Sequence, residues 1–199
     1  SAVHDSFVYE GSGNGNFDEN SNALGVGRYT AAGNRVWIFM SFNISGTEGD
    51  SVVNSTLRTY VQSNVGAAFI IELYEVTDDS WDETSITWNN QPLCGNWIQN
   101  ITPSALGWLE WNISSYTSNT FENQSDDIIS FCLKGDSANP SANNIIRIED
   151  HENTRGSGNI PEIVIITNRV PDALTINHTP TEQKVNNTIL FTGTWAEND

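Results

Sequence analysis

Arg35-Val36-Trp37-Ile38-Phe39-Met40-Ser41-Phe42 decides how this chain folds. Val36 to Met40 is apolar at every position, so the segment reads as a central strand covered on both faces. Downstream, Leu57-Arg58-Thr59-Tyr60-Val61-Gln62 behaves differently. Leu57, Thr59 and Val61 alternate with Arg58, Tyr60 and Gln62, as in a strand with one face on a core and the other toward water. Working outward, short apolar or alternating runs recur between Gly, Asn, Asp, Ser and Pro. They predict strands at Ser6–Tyr9, Arg35–Ile44, Ser55–Gln62, Ala68–Val76, Trp108–Ile113, Ile128–Leu133, Asn144–Glu149 and Glu162–Thr167. No window has useful helical periodicity, and the pattern is that of an all-β sandwich or barrel. Gly11 to Asn22 and Asp136 to Asn143 lack a core-forming pattern and read as surface loops.

The 199 residues suffice to bury a real core. Mean hydropathy is −0.38. No run approaches the roughly 18 apolar residues of a membrane helix, so no membrane span is expected. Ser1 to Asp5 has neither a basic nor an apolar signal region, which implies that any signal peptide has been removed. The net charge of −17 arises from 25 acidic against only 8 basic residues, so missing cations rather than acidic tracts cause it. Such a surface repels phosphate backbones and attracts divalent cations; nucleic acid is not an expected partner. Cys94 and Cys132 match no zinc or redox spacing. They read either as two buried thiols or as one bridge between a loop and a core strand. N-x-S/T sequons at Asn43, Asn54, Asn100, Asn112, Asn123, Asn177 and Asn186 favour an extracellular, cell-surface glycoprotein.

The character of the chain changes after Asn168. Residues 1–168 form the predicted sandwich, and Val170-Pro171-Asp172 reads as a linker into a tail, 169–199, holding one strand candidate, Thr188–Trp195. Ile189, Phe191 and Trp195 share one face of it. A lone strand cannot bury that face or satisfy its backbone, so it must dock on the sandwich, open a further domain, or be donated to another copy. Donation head to tail does not close and yields a filament, with copies of the chain as partners and Ile189, Phe191 and Trp195 as the contact.

Ser80-Trp81-Asp82-Glu83-Thr84-Ser85-Ile86-Thr87-Trp88-Asn89-Asn90-Gln91-Pro92 resembles the signature loop of the DNRLRE domain family, related to archaeal disaggregatase repeats and an alginate-binding class of carbohydrate modules. Arg35 to Ser45, Val53 to Val61, Trp111 to Ser114 and the pair Ile146–Glu149 and Pro161–Ile165 resemble its other segments in order. The resemblance spans roughly Val3 to Thr167. It departs at Asn43 and Asn112, where the family often has Asp, and at Arg147-Ile148. It implies a jelly-roll-like antiparallel sandwich, often with a structural calcium, and no catalytic centre. Val170 to Trp195 is similar to the opening of an Ig-like surface repeat.

Catalysis has little support: His4, His151 and His178 are scattered, and no nucleophile, zinc-protease or phosphate-loop motif occurs. A calcium site is the stronger expectation, because calcium takes six to eight oxygens from loop carboxylates and carbonyls. Glu149 and Asp150 at a strand end, Asp5 at the opposite terminus and Asp18 are its candidate ligands, with Glu149 foremost. Aromatic rings also stack on pyranose faces. Trp37, Trp81, Trp88, Trp108 and Trp111 fall on strands or in the signature and are expected to pack. Trp97, beside Gly95-Asn96, is the candidate exposed sugar platform. Two functions follow: a non-catalytic structural subunit of a surface layer or filament, or a carbohydrate-binding or adhesion module that engages polysaccharide.

Overall fold

In the computed structural model, the described residues are 1–17, 23–29, 34–45, 51–65, 69–117, 127–135, 144–152 and 156–168. The chain divides into two units, Ser1–Arg169 and Val170–Asp199, and the second lies wholly outside the described residues. The tail strand with Ile189, Phe191 and Trp195, the sequons Asn123, Asn177 and Asn186, the candidate ligand Asp18 and the loop at 136–143 therefore also lie outside them.

The first unit is all-β. Its strands are β1 (Ala2–Tyr9), β2 (Leu24–Arg28), β3 (Arg35–Asn43), β4 (Ser51–Val65), β5 (Ile71–Val76), β6 (Cys94–Ile101), β7 (Gly107–Asn112), β8 (Ile128–Lys134), β9 (Asn144–Ile148) and β10 (Glu162–Asn168). They form one antiparallel sheet in the order β10-β4-β9-β2-β3-β8-β5-β6, with β1 added to β3 and β7 to β4. The sheet curls around a single large core. Val36, Ile38, Met40 and Phe42 of β3 meet Leu57 and Val61 of β4, Trp111 of β7, Phe131 of β8 and Ile146 and Ile148 of β9. The start of β1 approaches the start of β10, where Ala2 N donates to Pro161 O at 3.1 Å.

The alternation at residues 57–62 appears as expected: Leu57, Thr59 and Val61 are fully buried, and Arg58, Tyr60 and Gln62 are half-buried. Two strands escape the sequence pattern. In β2, Leu-Gly-Val-Gly-Arg, Gly27 has φ +129°, and a β-carbon there would collide with the Asn144 carbonyl oxygen. Glycine lets β2 lie close against β9 at the cost of looking like a turn. In β6, register shifts opposite β5 break any alternation. The Gly11–Asn22 segment is also more than a surface loop. Glu10–Ser12 forms a 3₁₀ turn, and Phe17 stacks on Phe7 at 4.8 Å against the core.

A second, smaller core explains why β3 is apolar on both faces. Val8, Phe39, Val76, Ile86 and Cys132 are buried on the outer side of the sheet, with Trp37, Tyr74, Trp81, Trp88 and Cys94 packed against them. The cover is the β5–β6 connection, residues 77–93. Its Asp, Asn, Ser and Thr residues satisfy its own backbone. Asp82 Oδ1 accepts from Thr84 N at 2.8 Å, Asn90 Oδ1 accepts from Thr87 N at 2.6 Å, and Asn90 Nδ2 donates to Ser85 O at 3.0 Å. Asn16 Nδ2 reaches across to Glu83 O and Ile86 O, at 2.6 and 2.8 Å. Cys94 is joined to Cys132 with Cα atoms 5.8 Å apart, tying the end of the cover to β8.

Candidate functional site

A candidate site lies at β6, the last strand of the sheet beyond β5, where β7 packs beside it. Trp97 is opposite Tyr74 in the ladder and is 55% exposed. With Glu75, Asn96, Gln99, Asn112 and Tyr116 it lines a groove of about 490 Å³. The polar walls are fixed by one another. Glu75 Oε1 accepts from Asn96 N at 3.1 Å and also from Asn96 Nδ2, and Gln99 Oε1 accepts from Asn112 N at 2.7 Å. An exposed indole flanked by amides, a carboxylate and a phenol supplies a stacking surface with hydrogen-bond donors and acceptors at its rim. Those are the groups a polyhydroxylated ring engages.

The other tryptophans among the described residues are occupied. Trp111 is fully buried and its Nε1 donates to Thr59 Oγ1 at 3.3 Å. Trp81 and Trp88 belong to the cover, and Trp88 meets Trp37 at 4.8 Å. Arg58 sits 4.3 Å over the Trp108 ring. Among the sequons on described residues, Asn43, Asn54, Asn100 and Asn112 are all exposed.

Of the candidate calcium ligands, Asp5, Glu149 and Asp150 lie among the described residues, and the charge on Asp150 acts on Asp5. Asp5, on β1, has a side chain only 1% exposed and accepts from His151 N at 2.8 Å. His151 Nδ1 lies 3.3 Å from Asp5 Oδ2 and 3.1 Å from Glu152 Oε1. Glu83, from the cover, accepts from Asp5 N at 3.1 Å through Oε2, which is also 3.6 Å from His4 Nδ1. Burial raises the Asp5 carboxyl, with His151 opposing the shift. The Asp5 carboxylate in turn lifts His151 to about 9, and burial followed by the charge on Asp5 brings Glu152 to about 7. Glu149 and Asp150 are buried beyond the end of β9 and do not join the group of Asp5, His151 and Glu152. Calcium requires a shell of oxygens, and a set centred on an imidazole nitrogen fits it poorly. His4 and His151, far apart in sequence, are drawn to the same Glu83.

With this geometry in place, comparison with known proteins gives a direct family match. Residues 1–167 match carbohydrate-binding module family 96, and the chain belongs to that family. The match corrects the DNRLRE reading; the Ser80–Pro92 run on which that reading rested serves here as the cover of the outer core. A gellan lyase from Bacillus sp is 30% identical over 84 residues, a stretch amounting to 41% of this chain and 3% of the lyase. The chain thus corresponds to a very small part of that relative. The family match supports the carbohydrate-binding alternative over the filament subunit and its self-assembly. Among the described residues no helix is long and apolar enough to cross a membrane.

Proposed function

We propose that this chain is a non-catalytic, extracellular carbohydrate-binding module that engages polysaccharide through the Trp97 groove. The observation carrying the reading is an indole 55% exposed in a polar-walled groove, within a chain that belongs to a carbohydrate-binding family. In this reading Trp97 stacks on a sugar face, while Asn96, Gln99, Asn112 and Glu75 exchange hydrogen bonds with hydroxyls. The Cys94–Cys132 link accords with an oxidising compartment.

Gellan, the polymer in the name of the Bacillus protein, is the first polysaccharide to test, within a panel of neutral and acidic polymers in affinity electrophoresis and calorimetry. Trp97→Ala should weaken binding at least tenfold without lowering the melting temperature, since an exposed ring contributes little to folding. Equal retardation of wild type and Trp97→Ala in a gel containing a bound polymer would remove the groove from the account. Glycosylation of Asn43, Asn54, Asn100 and Asn112 belongs to the same extracellular reading. Asn112 lines the groove, so a glycan there would obstruct binding, and intact mass of bound and unbound fractions reports on it.

A further inference from the structure

We infer that Asp5, His151 and Glu152 form a site for a divalent transition ion of the zinc class, which clamps the first strand to the segment after β9. One donor atom from each residue lies within 4.8 Å of the other two. The two closest separations are 3.3 and 3.1 Å. Donors held about 2.0–2.1 Å from a tetrahedral ion stand roughly 3.4 Å apart, so little movement is needed to close the shell.

The imidazole supplies the observation that points to a ligand. His151 Nδ1 is buried and faces both carboxylates at once, 3.3 Å from Asp5 Oδ2 and 3.1 Å from Glu152 Oε1. A metal ion between the carboxylates would bind all three facing donors at once. Donor chemistry selects the ion: one imidazole with two carboxylates suits zinc, cobalt, nickel or manganese, whereas calcium is served by oxygen alone. Charge points the same way. Among the described residues, the groups acting on Asp5 and Glu152 are His151, Asp150, Glu83 and each other. Four carboxylates thus gather around one imidazole, an arrangement that favours a dication. Glu152 is exposed, so an ion can enter from solvent, and water can complete the shell. The site is independent of the glycan groove.

The test uses the whole chain, stripped with chelator and titrated with cobalt(II) as a spectroscopic probe, with zinc and calcium in parallel melts. One equivalent of cobalt should give visible ligand-field absorption. Zinc at a hundredfold excess over its Kd should raise the midpoint by about 5–10 °C, and calcium should leave it unchanged. His151→Gln should abolish the cobalt spectrum. Glu152→Gln, at an exposed position that leaves folding intact, should weaken zinc binding at least tenfold. Absence of both the cobalt spectrum and the zinc shift overturns the site. So does a response that survives in both variants, or a calcium shift equal to that of zinc.

Discussion

Thr59 shows how a single residue can be legible in position and opaque in role. Its place in the alternation at 57–62 marks it as core-facing, and it is fully buried. Only the fold shows that its hydroxyl accepts the indole N–H of Trp111, fifty-two residues away. Thr59→Val keeps the shape but strands that donor. It should cost about 1–3 kcal/mol in urea unfolding, and an unchanged midpoint would show the bond to be dispensable. Gly27 is the converse case, since its identity is dictated by the Asn144 carbonyl beside it. Gly27→Ala should therefore destabilise through steric conflict and a strained φ together, whereas at Gly107 a β-carbon would meet nothing and the strained φ acts alone. Asp5 and His151 were invisible as a pair for a simpler reason. They are 146 residues apart, and no local pattern encodes their meeting.

Among the elements, the β5–β6 connection separates what could be read from what could not. Apolarity on both faces of β3 was visible in the sequence and required a cover, but nothing local said which segment supplies it. The Asp, Asn, Ser and Thr residues of 77–93 read as loop composition, and they are indeed spent on loop hydrogen bonds. The cover is held at its edge by Arg35, whose guanidinium lies 5.4 Å over Trp37 and 5.1 Å over Trp88 while pairing with Glu10 at 3.0 Å. The Arg35 bond holds the Glu10 carboxyl below its ordinary range. Its contribution to stability is therefore complete above the ordinary glutamate pKa near 4.5 and is lost as pH falls through the lowered value. Denaturant melts from pH 7 down to 3 should show this loss, and Glu10→Gln should flatten it. The groove escaped a full sequence reading because β6 carries register shifts. Trp97 stood out as a lone aromatic, but its partners Glu75 and Asn112 come from different strands.

For the molecule as a whole, the Cys94–Cys132 link closes a sequence separation of 38 residues, running from the cover through β6 and β7 to β8. Confining the unfolded chain by such a loop is worth about 4 kcal/mol in the chain-entropy account. Cys94→Ser/Cys132→Ser should lose stability of that order, measured as a lower denaturation midpoint. Its polysaccharide affinity at low temperature should persist, because neither cysteine lines the groove. If the double variant melts like the wild type, the link has no structural weight. The overall all-β architecture was legible because most core strands announce themselves by period or by apolarity, β2 being the exception. The joining of both layers into one sheet through β2 and β9 was not, since it depends on pairings between distant segments.

That strand order also fixes a timetable for synthesis. β4 is made early, but β9 and β10 are made late, and the Arg58–Glu162 contact spans 104 residues. A nascent chain emerging at about 5–20 residues per second thus spends several seconds with β4 lacking two of its three partners, β7 alone being made sooner. The ladders that β9 and β10 make on β4 cannot form until those strands have left the ribosome. Until then the apolar faces of β3 and β4 are open to water and to other chains.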